Sequence, residues 1–259
     1  MDLSQGEALR IEDLHFRYAG DEEDVLDGLD LVLGRGETLC IAGASGRGKS
    51  LLLRLIAGLD KPASGAFYYF GEHLPLSQHN ALEVAKRGAE LIFQNGALIS
   101  NLTVRENISV PLYYHHRGSE DEIEHRVNMA LDLMRVRDEE KKYPHMLSSG
   151  VAKRVAIARA WAMDPRLLLM DEPTAGLDNY NRNTLLPLID NMQALFKTSM
   201  ILVTHDLLIA HELGADLCFL ENKRLSRRMK FEDWLMEDSP LAQEMFRNLR
   251  DFRSDISLS

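Results

Sequence analysis

Short apolar runs separated by glycine and charged residues fill the first third of the chain. The run at residues 38–42 lies between Gly36 and Gly43, which is typical of a buried strand. The leucine-rich run that follows, at residues 51–57, ends at a glycine and predicts a helix. Partial alternation predicts further strands over residues 9–18, 25–33, 66–70 and 90–93.

The pattern becomes helical from about residue 96 to residue 163. Ser119 followed by Glu122 forms a capping box, a typical start of a helix. Apolar side chains then recur at the spacing of one helix face: Ile123, Val127, Ala130, Leu131 and Met134. Beyond this region the pattern predicts strands over residues 166–171, 200–204 and 217–220, and a helix over 179–196. Strand and helix alternate again here, which favours a mostly parallel α/β sheet.

The composition adds limits to this α/β prediction. The chain has 259 residues, 45% hydrophobic and 27% charged, as in an ordinary soluble globular protein. Its net charge of −10 argues against nucleic acid as a partner bound through a basic surface. No apolar run approaches the roughly 18 residues of a spanning helix, and the first ten residues lack a signal-peptide pattern. Cys40 and Cys218 lie in apolar runs and are expected to be buried thiols of a cytoplasmic protein.

A glycine-rich segment at residues 43–50, Gly-Ala-Ser-Gly-Arg-Gly-Lys-Ser, fits the pattern GxxxxGK[ST] between a predicted strand and a predicted helix. Glycines let backbone N–H groups curl around a phosphate, and the helix N-terminus adds positive partial charge. Lys49 is predicted to reach the terminal phosphates, and Ser50 to hold Mg²⁺. The alternative is a chance glycine-rich turn, which the strand and helix on either side disfavour.

A pair of carboxylates ends the apolar strand predicted at residues 166–170. Nucleotide hydrolases present an aspartate at such a strand end to Mg²⁺, directly or through water, which suits Asp171. Glu172 follows it and is predicted to polarise the attacking water. The alternative is a polar strand end without chemistry, which is disfavoured because the two sites complete one mechanism.

With these two motifs, four further segments make the chain similar to the ATP-binding cassette (ABC) ATPases over about residues 8–225. Residues 147–154, Leu-Ser-Ser-Gly-Val-Ala-Lys-Arg, resemble the family signature LSGGQ, and residues 175–178, Ala-Gly-Leu-Asp, resemble the D-loop. Gln94 resembles the Q-loop glutamine, and His205 the switch histidine. Tyr18 precedes the phosphate loop where the family keeps an aromatic residue that stacks on adenine. The six motifs occur in the family order.

The resemblance implies the fold of a P-loop NTPase cassette. It has a mostly parallel α/β core sheet, an N-terminal antiparallel β subdomain and an inserted α-helical subdomain. Residues 1–228 are expected to form a single ATPase domain, with the helical subdomain at about residues 96–163. Residues 229–259 are expected to form a polar helical tail, loose at residues 253–259.

The resemblance also implies an ATPase that uses ATP and Mg²⁺ and pairs head to tail with a second copy of itself. Each ATP then lies between the phosphate loop of one copy and the signature of the other, so Ser148 and Gly150 face the partner's ATP. Catalytic roles are implied for Glu172, His205 and Gln94, and metal contacts for Ser50, Gln94 and Asp171. The nucleotide contacts implied are Tyr18, Gly43, Ser45, Gly46, Gly48, Lys49, Ser50, Leu51, Asp171, Ser148, Gly150 and Asp178.

Two signature residues depart from the family pattern. Ser149 replaces the first glycine, and its Cβ is expected to crowd the bound phosphate or restrict the backbone. Val151 replaces the glutamine and removes its polar group. A switch that only binds ATP, weakened by Ser149, is therefore an alternative. The intact catalytic set favours turnover.

The segment after the Q-loop glutamine indicates a branch of the family. Residues 93–98, Phe-Gln-Asn-Gly-Ala-Leu, and the apolar Val151 resemble the ATPases of Mla-type (MCE) lipid transporters. This resemblance implies phospholipid transport between bacterial membranes by a peripheral subunit on the cytoplasmic face of the inner membrane. Its partners are a multi-span permease and an MCE-domain protein with accessory subunits, and it contacts the membrane only through them. The alternatives are the ATPase of a solute importer, of a lipoprotein-release or exporter complex, and a soluble scaffold without a permease.

Three other segments are weaker candidates for function. Residues 113–116, Tyr-Tyr-His-His, are predicted to form a subdomain loop rather than a metal site, because no other ligand converges on them. The basic run at residues 223–228 is predicted to be a solvated turn rather than a contact with lipid headgroups. Residues 239–246 are expected to pack on their own domain or on a neighbouring subunit.

Overall fold

The computed structural model describes residues 6–249, which form two β-sheets and a set of helices. The strands are β1 (Glu7–Phe16), β2 (Leu26–Gly34), β3 (Thr38–Ala42), β4 (Ser64–Tyr69), β5 (Glu72–Leu74), β6 (Ala89–Ile92), β7 (Leu167–Asp171), β8 (Ser199–Val203), β9 (Asp216–Glu221), β10 (Arg224–Leu225) and β11 (Met229–Lys230). The α-helices are α1 (Lys49–Ile56), α2 (Ala81–Lys86), α3 (Val104–Tyr114), α4 (Glu120–Leu133), α5 (Ser149–Ala162), α6 (Asn179–Phe196), α7 (Leu208–Glu212), α8 (Phe231–Met236) and α9 (Pro240–Met245).

The larger sheet is the parallel core that the sequence predicts. Its strand order is β10-β9-β3-β8-β7-β6, and the pairs from β9 to β6 are all parallel. The short strands β10 and β11 both pair antiparallel with β9. The smaller sheet, β2-β1-β4-β5, is antiparallel throughout and contains the N-terminal strands. The expected cassette fold is confirmed.

Strand β3 lies at the centre of the molecule and is buried on both faces. Cys40 and Ala42 point into a core cluster shared with helices α3 to α8. Leu39 and Ile41 point the other way, into a cluster shared with α1 and the antiparallel sheet. A parallel strand covered on both faces needs apolar residues at every position, which explains the unbroken run that predicts it.

The helical region contains three long helices and two short 3-10 turns. Capping boxes start α3 at Thr103 and α4 at Ser119, and the latter is the box that the sequence predicts. The five apolar residues predicted to share a face of α4 and its end are all buried. Residues 113–116 are a loop only in part: Tyr113 and Tyr114 form the last turn of α3, whereas His115 is its C-cap and His116 lies in the turn that follows.

The tail helices α8 and α9 pack on the core of their own chain. The indole N–H of Trp234 donates to the carbonyl oxygen of Leu217 at 2.9 Å, and its ring meets Phe219 edge to face. Phe231 and Phe246 are buried against the same cluster. The tail is helical, as predicted, and its polar helices each bury an apolar face. Residues 253–259, predicted to be loose, lie outside the described residues.

Several charged residues tie the edge of the core sheet together. Within the predicted solvated turn, Lys223 pairs with Glu23, and the Arg224 side chain donates to the carbonyl oxygen of Asp27. Arg228 pairs with Glu37 and also with Asp216. The basic run thus binds acidic and carbonyl oxygens of its own chain, because the acidic surface beside it supplies these partners.

Two further expectations concern thiols and membrane spans. Cys40 and Cys218 are buried free thiols, as predicted, and burial raises the pKa of both. No helix among residues 6–249 combines the length and apolar character that crossing a bilayer requires.

Candidate functional site

The phosphate loop connects β3 to α1 and is built on glycines with positive φ. Gly43, Gly46 and Gly48 have φ of 146°, 77° and 97°. A Cβ at Gly43 would also lie 2.8 Å from the carbonyl oxygen of Leu220, so close packing excludes other residues there. Gly48 is the N-cap of α1, and no side chain caps this helix. The N–H groups of its first turn therefore point towards the loop, where an anion can accept their hydrogen bonds.

Lys49 folds back over this loop. Its Nζ donates to the carbonyl oxygens of Gly43 at 2.8 Å and Ala44 at 3.0 Å. Burial lowers the pKa of Lys49, while the carboxylates of Glu172 and Asp171 act in the opposite direction. The ammonium group therefore lies between the mouth of the loop and the carboxylate pair, where terminal phosphates would carry the greatest charge.

Ser50 and Asp171 bring two oxygen ligands together. The hydroxyl of Ser50, in the first turn of α1, donates to Oδ1 of Asp171 at 2.9 Å. Burial raises the pKa of Asp171, and the hydrogen bond from Ser50 lowers it. Hydroxyl and carboxylate oxygens are the protein ligands that Mg²⁺ prefers. The residues at this point therefore fit a magnesium ion.

Glu172 has a left-handed backbone, with φ of 47°, immediately after β7. The N–H of Glu172 donates to the carbonyl oxygen of Val203 at 2.9 Å. The carbonyl oxygen of Glu172 accepts from Nζ of Lys153 at 2.8 Å. The Nδ1 of His205 lies 2.9 Å from the Glu172 carboxylate, which is 14% exposed. A non-glycine residue with this backbone costs about 1–3 kcal/mol, and such strain clusters at functional sites.

These elements surround one cleft of about 540 Å³. The structure brings most of the predicted nucleotide and catalytic residues to it. Those that line the cleft are Tyr18, Ser45, Gly46, Gly48, Lys49, Ser50, Leu51, Gln94, Glu172 and His205. Asp21 and Val25 also line it and were not predicted from the sequence. The signal available in the sequence was their proximity to Tyr18. A loop that brings Tyr18 to the cleft also brings the residues that follow it.

Gln94 lies between this cleft and a second one. The second cleft, of about 480 Å³, is lined by Gln94, Asp171 and their neighbours. Both clefts meet at the end of β6, where Phe93 is 36% exposed. A movement of the Gln94 side chain would therefore change the shape of both clefts.

The signature residues do not line the phosphate-loop cleft of the same chain. Ser148 is the N-cap of α5 and accepts a hydrogen bond from the N–H of Val151 at 3.4 Å. Asp178 is the N-cap of α6 and accepts from the N–H of Asn181 at 2.8 Å. Gly150 is buried against the side chain of Asn181. Signature and D-loop thus form one packed unit apart from that cleft.

The two departures from the signature pattern have little effect on the backbone. Ser149 is exposed at the first position of α5 and has no left-handed backbone, so it does not restrict the chain as expected. A helical N-terminal position accepts serine at little cost. Val151 is half-buried and packs against the core cluster of the helical region, which accounts for an apolar residue there.

Comparisons with known proteins agree with this geometry. The ABC transporter family model matches residues 26–175. The chain is 40% identical over 187 residues to the lipoprotein-releasing system ATP-binding protein LolD 1 of Chlorobium chlorochromatii, covering 71% of this chain and 75% of that one. It is 32% identical over 234 residues to the methionine import ATP-binding protein MetN of Mannheimia succiniciproducens, covering 90% and 68%. Against the spermidine/putrescine import ATP-binding protein PotA of Thermotoga maritima it is 43% identical over 186 residues, covering 72% and 49%.

Solved structures show the same relationship. The ATP-binding cassette MJ0796, as a dimer in a post-hydrolysis state bound to ADP and Pi, matches with a TM-score of 0.76 at 30% identity, covering 86% of this chain and 98% of that one. CbiO1 from Clostridium perfringens, part of the ABC transporter complex cbiONQ, matches with a TM-score of 0.81 at 28% identity, covering 97% and 99%. The family model covers more than half of the chain. The chain therefore belongs to the ABC transporter family and is an ATPase of that family.

Proposed function

We propose that this chain is the ATP-hydrolysing subunit of a lipid transporter, moving phospholipid between bacterial membranes in the manner of Mla-type (MCE) systems. The observation that carries the hydrolytic part is the convergence of Lys49, Ser50, Glu172 and His205 on one cleft, with Asp171 bonded to Ser50. Residues 1–228 would form the ATPase domain, with residues 229–259 as a tail.

The residues of the cleft divide the chemistry between them. The loop glycines expose N–H groups to the phosphates, and Lys49 neutralises their charge. Ser50 and Asp171, joined by Gln94, would hold Mg²⁺, which supplies charge stabilisation at the transferred phosphate when bound. Glu172 accepts a proton from the attacking water, and His205 orients that carboxylate and contacts the terminal phosphate.

A head-to-tail dimer completes each site. Ser148 and Gly150 lie at the start of α5, apart from the cleft of their own chain, and their N–H groups suit a phosphate from a second copy. Tyr18 is 52% exposed and stands edge to face on Phe16, so one ring face is free to stack on adenine. Asp178 would lie at the same interface, because its helix packs against the signature.

The lipid assignment rests on the segment after Gln94. Residues 93–98 and Val151 carry the resemblance to Mla-type ATPases. Apolar side chains follow on the surface of this segment and of α3: Phe93, Ile99, Val110, Tyr113 and Tyr114 are all exposed. An apolar surface of this kind suits a multi-span permease, with an MCE-domain protein and accessory subunits bound beyond it. The subunit would then act at the cytoplasmic face of the inner membrane.

A second candidate is the release of lipoproteins or the import of a solute. The 40% identity to a lipoprotein-releasing ATPase favours it, as do the methionine and polyamine import relatives. The ATPase chemistry is the same in both proposals. They differ in the permease and in the cargo.

The experiment uses a tagged Glu172→Gln variant, purified with ATP from detergent-solubilised membranes of the native bacterium. Loss of the base should slow turnover by at least about 100-fold and hold the ATP-bound complex together. Mass spectrometry is expected to find a multi-span permease, an MCE-domain protein and phospholipid. Lys49→Ala, prepared in parallel, is the control that does not trap ATP.

Each other outcome removes a stated part of the proposal. A permease with lipoprotein or a solute-binding protein would overturn the phospholipid assignment and support the second candidate. Recovery of no membrane protein would overturn transport itself. Hydrolysis by Glu172→Gln at the wild-type rate would remove Glu172 from its role as base.

A further inference from the structure

Lys153 reaches from α5 to the end of β7. It lies about one helical turn after the signature residues, and its Nζ donates to the carbonyl oxygen of Glu172 at 2.8 Å. The side chain is half-buried. Burial lowers the pKa of Lys153, and the nearby carboxylates of Glu172 and Asp171 oppose that effect. The half-buried ammonium group of Lys153 is therefore held close to the carboxylates of Asp171 and Glu172.

The backbone of Glu172 needs such support because it is in the left-handed region. Two contacts hold this residue from the side of β8: its N–H donates to Val203, and its carboxylate meets His205. The carbonyl oxygen of Glu172 accepts from the N–H of Ala175 at 3.2 Å, within the local turn, and from Nζ of Lys153 at 2.8 Å. Lys153 is the contact that links this carbonyl group to α5. The direction of that carbonyl group is coupled to the φ and ψ angles of Glu172 and hence to the direction of its carboxylate.

Lys153 also differs from Lys49 in what it is able to do during the reaction. Both ammonium groups act on Asp171 and Glu172. Lys49 lies at the mouth of the phosphate loop and is engaged by phosphate in the proposed mechanism. Lys153 contacts the main chain of Glu172 and does not line the cleft, so its charge and its hydrogen bond remain with the carboxylate pair when nucleotide is bound.

We propose that Lys153 is a positioning residue for hydrolysis, which holds the main chain of Glu172 in its left-handed conformation and ties that conformation to α5. The inference rests on the role of Glu172 as base in the proposed function. Because Ser148 and Gly150 begin the same helix, a phosphate bound there by a second copy acts on the base through one rigid element. Lys153 itself does not line the phosphate-loop cleft.

The test compares three substitutions that separate the hydrogen bond from the charge. Lys153→Met removes both, Lys153→Gln keeps a donor without charge, and Lys153→Arg keeps both. We expect kcat of Lys153→Met to fall about 10- to 100-fold, since a small misplacement of a catalytic group costs that much. KM and the rise in melting temperature caused by ATP should stay within about twofold of wild type, because phosphate contacts are retained.

The conservative variants and a lysine outside the site serve as controls. Lys153→Arg should recover most of kcat, and Lys153→Gln should lie between the two. Lys230→Met is the matched control, because Lys230 lies outside the site and its Nζ likewise donates to a main-chain carbonyl oxygen, that of Gly214 at 2.9 Å. Its kcat should stay near that of wild type. If Lys153→Met does not fold, the ratio of kcat between Lys153→Arg and Lys153→Gln carries the same test.

Three results would overturn the inference. They are an unchanged kcat in Lys153→Met, a loss confined to KM, and an equal loss of kcat in Lys230→Met. Glu172→Gln is assayed beside them. If Glu172→Gln turns over ATP normally, the assignment of the base fails first. If it is inactive while Lys153→Met is active, only the role of Lys153 fails.

Discussion

Ser149 and Gly150, adjacent at the start of α5, differ in the space that their surroundings leave for a side chain. Ser149 is exposed, and its helical backbone suits any L-residue. A Cβ at Gly150 would lie 2.9 Å from Cβ of Asn181 and closer still to its side-chain oxygen. The amide group of Asn181 is held in place by Asp178 at 3.0 Å. The glycine that the fold requires in this signature is therefore Gly150, and the first position is free to vary.

Substitution of each residue should show this difference. Ser149→Gly is expected to keep ATP turnover within about twofold of wild type, because no strain is relieved and no contact is lost. Gly150→Ala should destabilise the chain by about 1–3 kcal/mol through overpacking and should lower turnover. Thermal unfolding and steady-state ATP hydrolysis measure both effects. A severe loss in Ser149→Gly would show that the serine is used in the reaction.

At the scale of whole elements, clear local signals at their ends explain which ones the sequence predicts well. Strand β3 and helix α6 have the bounds predicted from the pattern, because apolar runs or faces there end at a glycine or a capping aspartate. Strands β5, β10 and β11 have two or three residues each and exist because a neighbouring strand pairs with them. A local pattern of that length does not distinguish a strand from a turn.

The same reason separates the predicted from the unpredicted parts of the site. Residues of the phosphate loop and the carboxylate pair belong to contiguous motifs, so their spacing along the chain predicts their chemistry. Lys153 reaches the site only through packing between distant segments, since its Nζ donates to the carbonyl oxygen of Glu172 on another element. Contacts of this kind have no signature in a single sequence.

The tail helices extend this argument to stability. Each has six residues, too few turns for a clear helical period, yet Trp234 bonds to Leu217 on β9. Strand β9 also carries Leu220, whose carbonyl oxygen packs against Gly43 of the phosphate loop. The tail therefore stabilises the strand on which the loop rests.

Truncation of Trp234 tests the contribution of the tail. Trp234→Ala should lower the free energy of unfolding by about 3–5 kcal/mol, because a fully buried ring and its hydrogen bond are lost. Met236→Ala on the same helix is the control, since Met236 is 55% exposed and should change stability by less than about 0.5 kcal/mol. Chemical denaturation of both variants measures the difference. Equal stability would show that the tail does not support the core.

The whole molecule presents its phosphate loop and its signature segment at separate places. The loop at the start of α1 faces the cleft with Glu172 and His205, whereas the signature at the start of α5 does not line that cleft. The interaction between a helix N-terminus and a phosphate is strongest when the phosphate is buried between binding partners. In the proposed function, one chain therefore offers half of each of two sites, and a pair of chains completes both.

ATP should therefore control the association of two chains. Glu172→Gln is expected to be monomeric without nucleotide and dimeric with ATP, because phosphate then joins both elements and is not hydrolysed. Adding Lys49→Ala to this variant should abolish the dimer, since removing the ammonium group weakens phosphate binding in the loop. Size-exclusion chromatography with light scattering measures the mass in each state. A Glu172→Gln monomer that retains ATP would contradict the shared site. An ATP-dependent dimer that is lost when Lys49→Ala is added would support phosphate, bound in the loop, as the link between the two chains.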